Sequence, residues 1–194
     1  MIGIIDYGSG NVKSILNVLE ELSADYVLTN KVEELDKCQK ILLPGVGEAS
    51  YAMKKLNEYK LIEYLKNLKI PMLGICLGLQ LLTKSSEEGE TECLSIINET
   101  TIKFTNDNLI IPHMGWNEIN MIKKCKLTEG IENNKDFYFA NSYYCPLNNF
   151  TVAYSNYGVN FSAIVNRDNY WGIQFHPEKS GKQGIKIMEN FIRL

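Results

Sequence analysis

A cysteine between two glycines, Gly74-Ile75-Cys76-Leu77-Gly78, is the sharpest chemical signal in the chain. It follows the apolar run 72–75 and leads directly into the apolar run 77–82, with no turn residue between them. A G-x-C-x-G where a buried strand meets a helix is the cysteine form of a nucleophile elbow. So tight a turn strains the backbone of the nucleophile, and a side chain at Gly74 or Gly78 would collide with neighbouring main chain. The N-terminus of the following helix favours thiolate over thiol. The same turn aims the N–H of Leu77 at a developing oxyanion. Taken alone, the pentapeptide suits a small buried cysteine equally well.

A thiol nucleophile needs a base, normally histidine. The chain has two histidines. His176 lies in Gly172-Ile173-Gln174-Phe175-His176-Pro177-Glu178-Lys179-Ser180, at the end of the apolar run 171–175. In extended backbone, residues i and i+2 point to one side. Glu178 can then hold the second nitrogen of His176, the orienting role in a triad. Pro177 restricts the backbone between them. His113, in Pro112-His113-Met114-Gly115-Trp116-Asn117, has no carboxylate near it in sequence and is expected to be structural or to lie at an interface. Two histidines without paired ligand spacing make a poor metal cage, so no metal and no cofactor are expected.

Pro44-Gly45-Val46-Gly47 follows the apolar run 41–43. Its glycines permit close approach of main chain to a ligand, and Val46 could lend a second N–H to the oxyanion. Gly8-Ser9-Gly10 lacks the third glycine of a dinucleotide loop and the lysine-serine of a P-loop, so phosphate binding is not read there.

Positioning these groups requires a sheet. In the first half, short apolar runs at 2–5, 26–28, 41–43 and 72–75 alternate with helical stripes. These stripes are Val12, Ile15, Leu16, Leu19 and Leu22; then Ala49, Ala52, Met53 and Leu56; then Leu61, Tyr64, Leu65 and Leu68. Alternating βαβα elements imply a parallel sheet with helices on both faces. The second half predicts short strands at 101–105, 109–111, 117–122, 136–140, 150–155, 161–166 and 171–175. These read as antiparallel strands added to the same domain, with turns such as Asn106-Asp107-Asn108 between them. A last helix is marked by Ile185, Met188, Phe191 and Ile192. The expected architecture is a three-layer α/β fold, and no linker or repeat divides residues 1–194.

Composition narrows the function class. The chain has 194 residues, a formal net charge of -3 and 45% hydrophobic residues. That balance gives no support to nucleic-acid binding. No run approaches a membrane span, and the N-terminus lacks the basic start and apolar stretch of a signal peptide. Five cysteines, odd in number and without a C-x-x-C pair, point to a reducing cytoplasm.

Together these motifs resemble the class I glutamine amidotransferases over nearly the whole chain. PGVG at 44–47, PMLGICLGLQLL at 71–82 and GIQFHPEKS at 172–180 occur in that family's order. The resemblance implies hydrolysis of the glutamine side-chain amide by a triad of Cys76, His176 and Glu178. It also implies an oxyanion hole at Leu77 and Val46, with substrate binding at Gly45, Gly47, Gln80, Ser142 and Tyr143. Within the class, the opening IGIIDYGSGN, PHMGWN at 112–117 and NSYY at 141–144 are similar to glutaminase subunits of imidazole glycerol phosphate synthases. Such subunits pass ammonia to a (βα)8-barrel cyclase in histidine biosynthesis. Asn11, Trp116, Tyr138 and Lys179 match positions at or near that interface. One departure is Asn141, where the family usually has histidine. Three alternatives stay open: a paralogous subunit that aminates a surface-polysaccharide sugar, a stand-alone cysteine hydrolase, and a non-catalytic scaffold.

Overall fold

An apolar run without polar alternation must be covered on both faces, and the first half of the chain meets that need with parallel strands between helices. The computed structural model describes residues 1–8, 12–105 and 108–194. In chain order the first elements are β1 (Ile2–Ile5), α1 (Lys13–Glu21), β2 (Tyr26–Thr29), α2 (Val32–Leu35), β3 (Lys40–Gly45), α3 (Ala49–Glu58), α4 (Leu61–Lys66), β4 (Met72–Cys76) and α5 (Leu77–Leu82). There follow β5 (Thr83–Ser86), β6 (Thr91–Glu92), β7 (Ile97–Lys103), β8 (His113–Met121), β9 (Lys135–Asn141), β10 (Tyr143–Tyr144), β11 (Thr151–Asn156), β12 (Asn160–Arg167), β13 (Tyr170–Ile173) and α6 (Gly181–Arg193).

Nine strands form one sheet in the order β2-β1-β3-β4-β13-β12-β11-β8-β9. From β2 to β13 the neighbours run parallel, and from β13 to β9 antiparallel. The antiparallel strands therefore extend the parallel sheet. One face packs on α1 and α6 through Ile15, Leu19, Ile187 and Phe191. The other packs on α3, α4 and α5 through Ala52, Leu56, Leu65 and Leu79. The result is the three-layer α/β architecture expected from the pattern. Burying an aliphatic or aromatic side chain of this kind contributes about 1.5–3 kcal/mol, so these helices are held mainly by their buried stripes. Among the described residues no helix is long and apolar enough to cross a membrane.

Three local expectations change. The run 109–111 forms no strand; Ile110 is 84% exposed, and the strand after it starts at His113 instead of 117. β3 does not stop before Pro44 but continues to Gly45, which pairs with Cys76. A second sheet, in the order β10-β7-β5-β6, was not foreseen, because Thr83-Lys84-Ser85-Ser86 carries no apolar alternation. The turn read at Asn106-Asp107 lies outside the described residues.

Candidate active site

Three parallel strands end side by side. Gly45 of β3 pairs with Cys76 of β4, and Ile75 of β4 pairs with Ile173 of β13. The loop after Gly45, the cysteine and the segment running on to His176 therefore leave the sheet together. Carboxyl ends of parallel strands are where open α/β sheets hold ligands.

Cys76 has φ 53° and ψ -106°, a sparsely populated conformation for a residue with a side chain. Such strain costs about 1–3 kcal/mol. The six residues of α5, all buried, offset it. Both flanking glycines are needed. A Cβ on Gly78 would overlap the carbonyl of Leu43; one on Gly74 would overlap the carbonyl of Gly78 and come within 2.8 Å of the Leu79 nitrogen. Gln174 Nε2 donates to Cys76 Sγ at 3.6 Å, and the sulfur lies 3.9 Å from the carbonyl oxygen of Ala140.

His176 Nδ1 lies 2.8 Å from Glu178 Oε1, and both side chains are only 5% exposed. The pairing does not arise from extended backbone, as the sequence pattern implied. Residues Pro177–Lys179 form a 3-10 turn that folds the carboxylate back onto the ring. The main chain of His176 is fixed on both sides. Its N–H donates to Tyr138 O at 2.8 Å, and its carbonyl accepts from Ser180 Oγ at 2.6 Å.

Burial alone would strip the proton from His176, but hydrogen bonds to Cys76 and Glu178, together with their negative charge, outweigh it. The pKa rises from 6.5 to about 10. A base whose pKa is raised on folding adds stability fully present below its unfolded pKa and lost as pH climbs through the folded value. The protein is therefore expected to lose stability between pH 6.5 and about 10 from this group. Imidazole NMR checks this directly, and titration of His176 near 6.5 would mean that the thiol–imidazole pair does not form.

A cavity of about 240 Å³ opens onto these groups. Its size suits a small polar molecule, below the usual range for drug-sized ligands. Cys76, Leu77, His176, Val46, Gly47, Gln80, Ser142, Tyr143 and Lys179 line it, all singled out by the sequence. Gly45 does not line it; a Cβ there would come within 2.7 Å of Leu77 and Tyr7 side chains, so this glycine serves packing. Trp116 is 58% exposed, and its ring lies 6.1 Å from that of Tyr138, over which Lys179 Nζ sits at 5.6 Å. These three form one surface patch at the rim. Asn11 lies outside the described residues. His113 is buried in β8, in keeping with a structural place.

Sequence reading missed two residues. Glu88 lines the cavity, and its Oε2 accepts the N–H of Ala49 at 2.8 Å; burial pushes its pKa up. No local pattern in 84–92 marks it. Gln174 bridges the nucleophile and Gln80, accepting from Gln80 Nε2 at 3.2 Å. Its place as the one amide side chain in the otherwise apolar run 171–175 could have revealed it.

A larger cavity, about 640 Å³, lies beside Met121 and the turn 124–133. It holds Cys125 but no histidine, and no residue from the carboxyl ends of β3, β4 and β13 lines it. The residues that the sequence marked for chemistry gather at the smaller one. Burial pushes the thiols of Cys93 and Cys145 up to about 12, so both stay protonated and inert.

Residues 3–194 match the glutamine amidotransferase class-I family. The chain is 44% identical over 191 residues to the imidazole glycerol phosphate synthase subunit HisH of Haemophilus influenzae, covering 98% of this chain and 96% of that one. It is 47% identical to the protein of the same name from Methanocaldococcus jannaschii over the full length of both. Two solved structures, both from Thermotoga maritima, share the fold. One is PurLQS, at TM-score 0.74 and 17% identity over 99% of this chain and 97% of that one. The other is a glutamine amidotransferase, at TM-score 0.67 and 17% identity over 99% and 80%.

Proposed function

The chain belongs to the class-I glutamine amidotransferases, and we propose that within them it is the glutaminase subunit of an imidazole glycerol phosphate synthase, acting through Cys76, His176 and Glu178 as one domain over residues 1–194. The observation that carries the catalytic reading is the buried His176–Glu178 pair turned toward Cys76 at the mouth of a cavity.

The chemistry follows from the groups. The Cys76 thiolate attacks the side-chain carbonyl carbon of glutamine. The N–H of Leu77 donates to the developing oxyanion, and rotation of the Gly45–Val46 peptide turns the N–H of Val46 inward as a second donor. Gly47 has φ 103° and nothing within 4 Å of where a Cβ would stand, so the loop just after Val46 is uncrowded. His176 gives its proton to the departing ammonia, leaving a thioester on Cys76. It then takes a proton from water, whose oxygen attacks the thioester and releases glutamate. Glu178 holds the ring and stabilises its charged form. One oxyanion donor is worth about 2.7–4 kcal/mol of barrier, so the position of Val46 controls turnover.

Both hydrogens of the Gln80 amide are taken by Tyr143 O and Gln174 Oε1, leaving its carbonyl oxygen for the substrate. Glu88 supplies a carboxylate for the substrate ammonium. Glu88→Gln keeps the bond to Ala49 but removes the charge. We expect KM for glutamine to rise about tenfold or more with kcat little changed, the weight of a charged hydrogen bond. An unchanged KM would move the ammonium elsewhere.

The partner is a (βα)8-barrel cyclase, seated on the patch of Trp116, Tyr138 and Lys179 and receiving ammonia there. Expression in a histidine auxotroph lacking its own glutaminase subunit tests the assignment. Growth without histidine is expected; failure alongside a compatible cyclase would reject the pathway.

A further inference from the structure

Three polar side-chain atoms are buried without a hydrogen-bond partner among the described residues: Glu178 Oε2, on the carboxylate already paired with His176, and His113 Nδ1 and Asn141 Oδ1. The last two belong to cross-strand neighbours, since His113 of β8 pairs with Asn141 of β9, and Asn141 lines the cavity. Directly opposed residues of an antiparallel pair point to one face, with Cβ atoms about 4.5–5.5 Å apart. His113 stacks at 5.0 Å on Phe139, which alternates with Asn141 along β9 and so shares that face.

The two atoms are chemically complementary. Asn117 Oδ1 accepts the Glu118 N–H, so Nδ2 is the atom facing His113 Nε2 at 3.3 Å; the same Nδ2 donates to Asn156 O at 2.9 Å. Nε2 is therefore the acceptor, and the ring proton sits on Nδ1. The ring lies between Phe139 and Tyr157, and burial lowers its pKa to about 4, which keeps it neutral. Asn141 Nδ2 donates to Tyr143 O at 2.9 Å, which fixes the free atom of that amide as the oxygen. One residue holds a donor without an acceptor, and its neighbour an acceptor without a donor.

We propose that His113 Nδ1–H donates to Asn141 Oδ1 across one bridging water, making His113 a positioning residue of the substrate cavity. Buried waters serve such pairs routinely. The effect on turnover rests on the glutaminase reading; the hydrogen bond does not. From Asn141 the connection runs to the nucleophile. Asn141 and Gln80 both donate to Tyr143 O, Gln80 donates to Gln174, and Gln174 donates to Cys76. Loosening Asn141 frees the Tyr143 carbonyl, and with it the amide of Gln80 on the cavity wall.

Imidazole nitrogen NMR of the full chain tests the bond, because only two histidines contribute signals. We expect His113 as the Nδ1–H tautomer at neutral pH, with a ring proton slow to exchange that becomes fast in Asn141→Leu. An Nε2–H tautomer, or a fast-exchanging proton in the unaltered chain, overturns the proposal whatever the enzyme does. The kinetic arm uses the chain assembled with its cyclase. His113→Phe keeps a stacked ring and removes the donor. It and Asn141→Leu should each raise KM for glutamine about three- to tenfold, the range of one hydrogen bond, and the double variant should go no further. Effects that multiply would show independent roles and overturn the coupling. Should His113→Phe fail to fold, the tautomer of the unaltered chain still decides.

Discussion

Cys76→Ala eliminates glutamine hydrolysis while the chain still folds. Without the sulfur no thioester forms, and what remains is binding and the oxyanion donors. Removing a nucleophile that works as a unit with its base costs about 10⁴-fold or more in turnover. Glutamate release measures it, and unchanged release would refute covalent catalysis at this position. The companion substitution Cys76→Gly separates chemistry from strain. It is equally inactive, yet glycine accepts φ 53° at no steric cost. It should gain about 1 kcal/mol of stability over the alanine variant. A denaturation curve with no such gain would show that the elbow stores no strain.

Gly78→Ala has the largest expected effect on folding. The added methyl would overlap the carbonyl of Leu43 in β3, a strand with β1 on one side and β4 on the other. β3 cannot yield without breaking a ladder, and α5, which begins at the residue after Cys76, cannot yield without moving the elbow. Overpacking usually costs about 1–3 kcal/mol, and a clash between two main-chain segments belongs at or above the top of that range. Equilibrium unfolding in urea should show the loss, with glutaminase activity falling alongside it. Gly47→Ala is the control, because nothing lies within 4 Å of its Cβ position and only the positive φ resists. A Gly78→Ala chain as stable as the Gly47→Ala chain would contradict the close packing of α5 on β3.

The elbow was legible because its demands are local: two glycines, a strand before and a helix after. The pairing of His176 with Glu178 was legible as a pair, but its geometry was not. Spacing by two suggested extended backbone, and the chain makes a 3-10 turn instead. Proline fixes one dihedral and does not choose between those two outcomes. Apolar character misled at 109–111, where Ile110 faces solvent and nothing covers it. Polar character misled at 83–86, where hydroxyl pairs such as Ser85 with Thr100 stand in for an apolar face. Glu88 was invisible because a carboxylate in a polar loop looks the same whether it meets water or a ligand. Tertiary placement alone distinguishes the two.

β13 sits near the centre of the large sheet, between β4 and β12, although its residues 170–173 come late in the chain. Until this segment is made, the strands before it can pair only as two unjoined half-sheets, each ending in an open, hydrogen-bond-hungry border. Only the arrival of this short segment zips them together, and the same event delivers the imidazole to the sulfur. Contacts so distant along the chain form slowly and leave sticky borders exposed meanwhile. Under the proposed mechanism, competence to act on glutamine waits for this segment, and a chain released early holds Cys76 without His176.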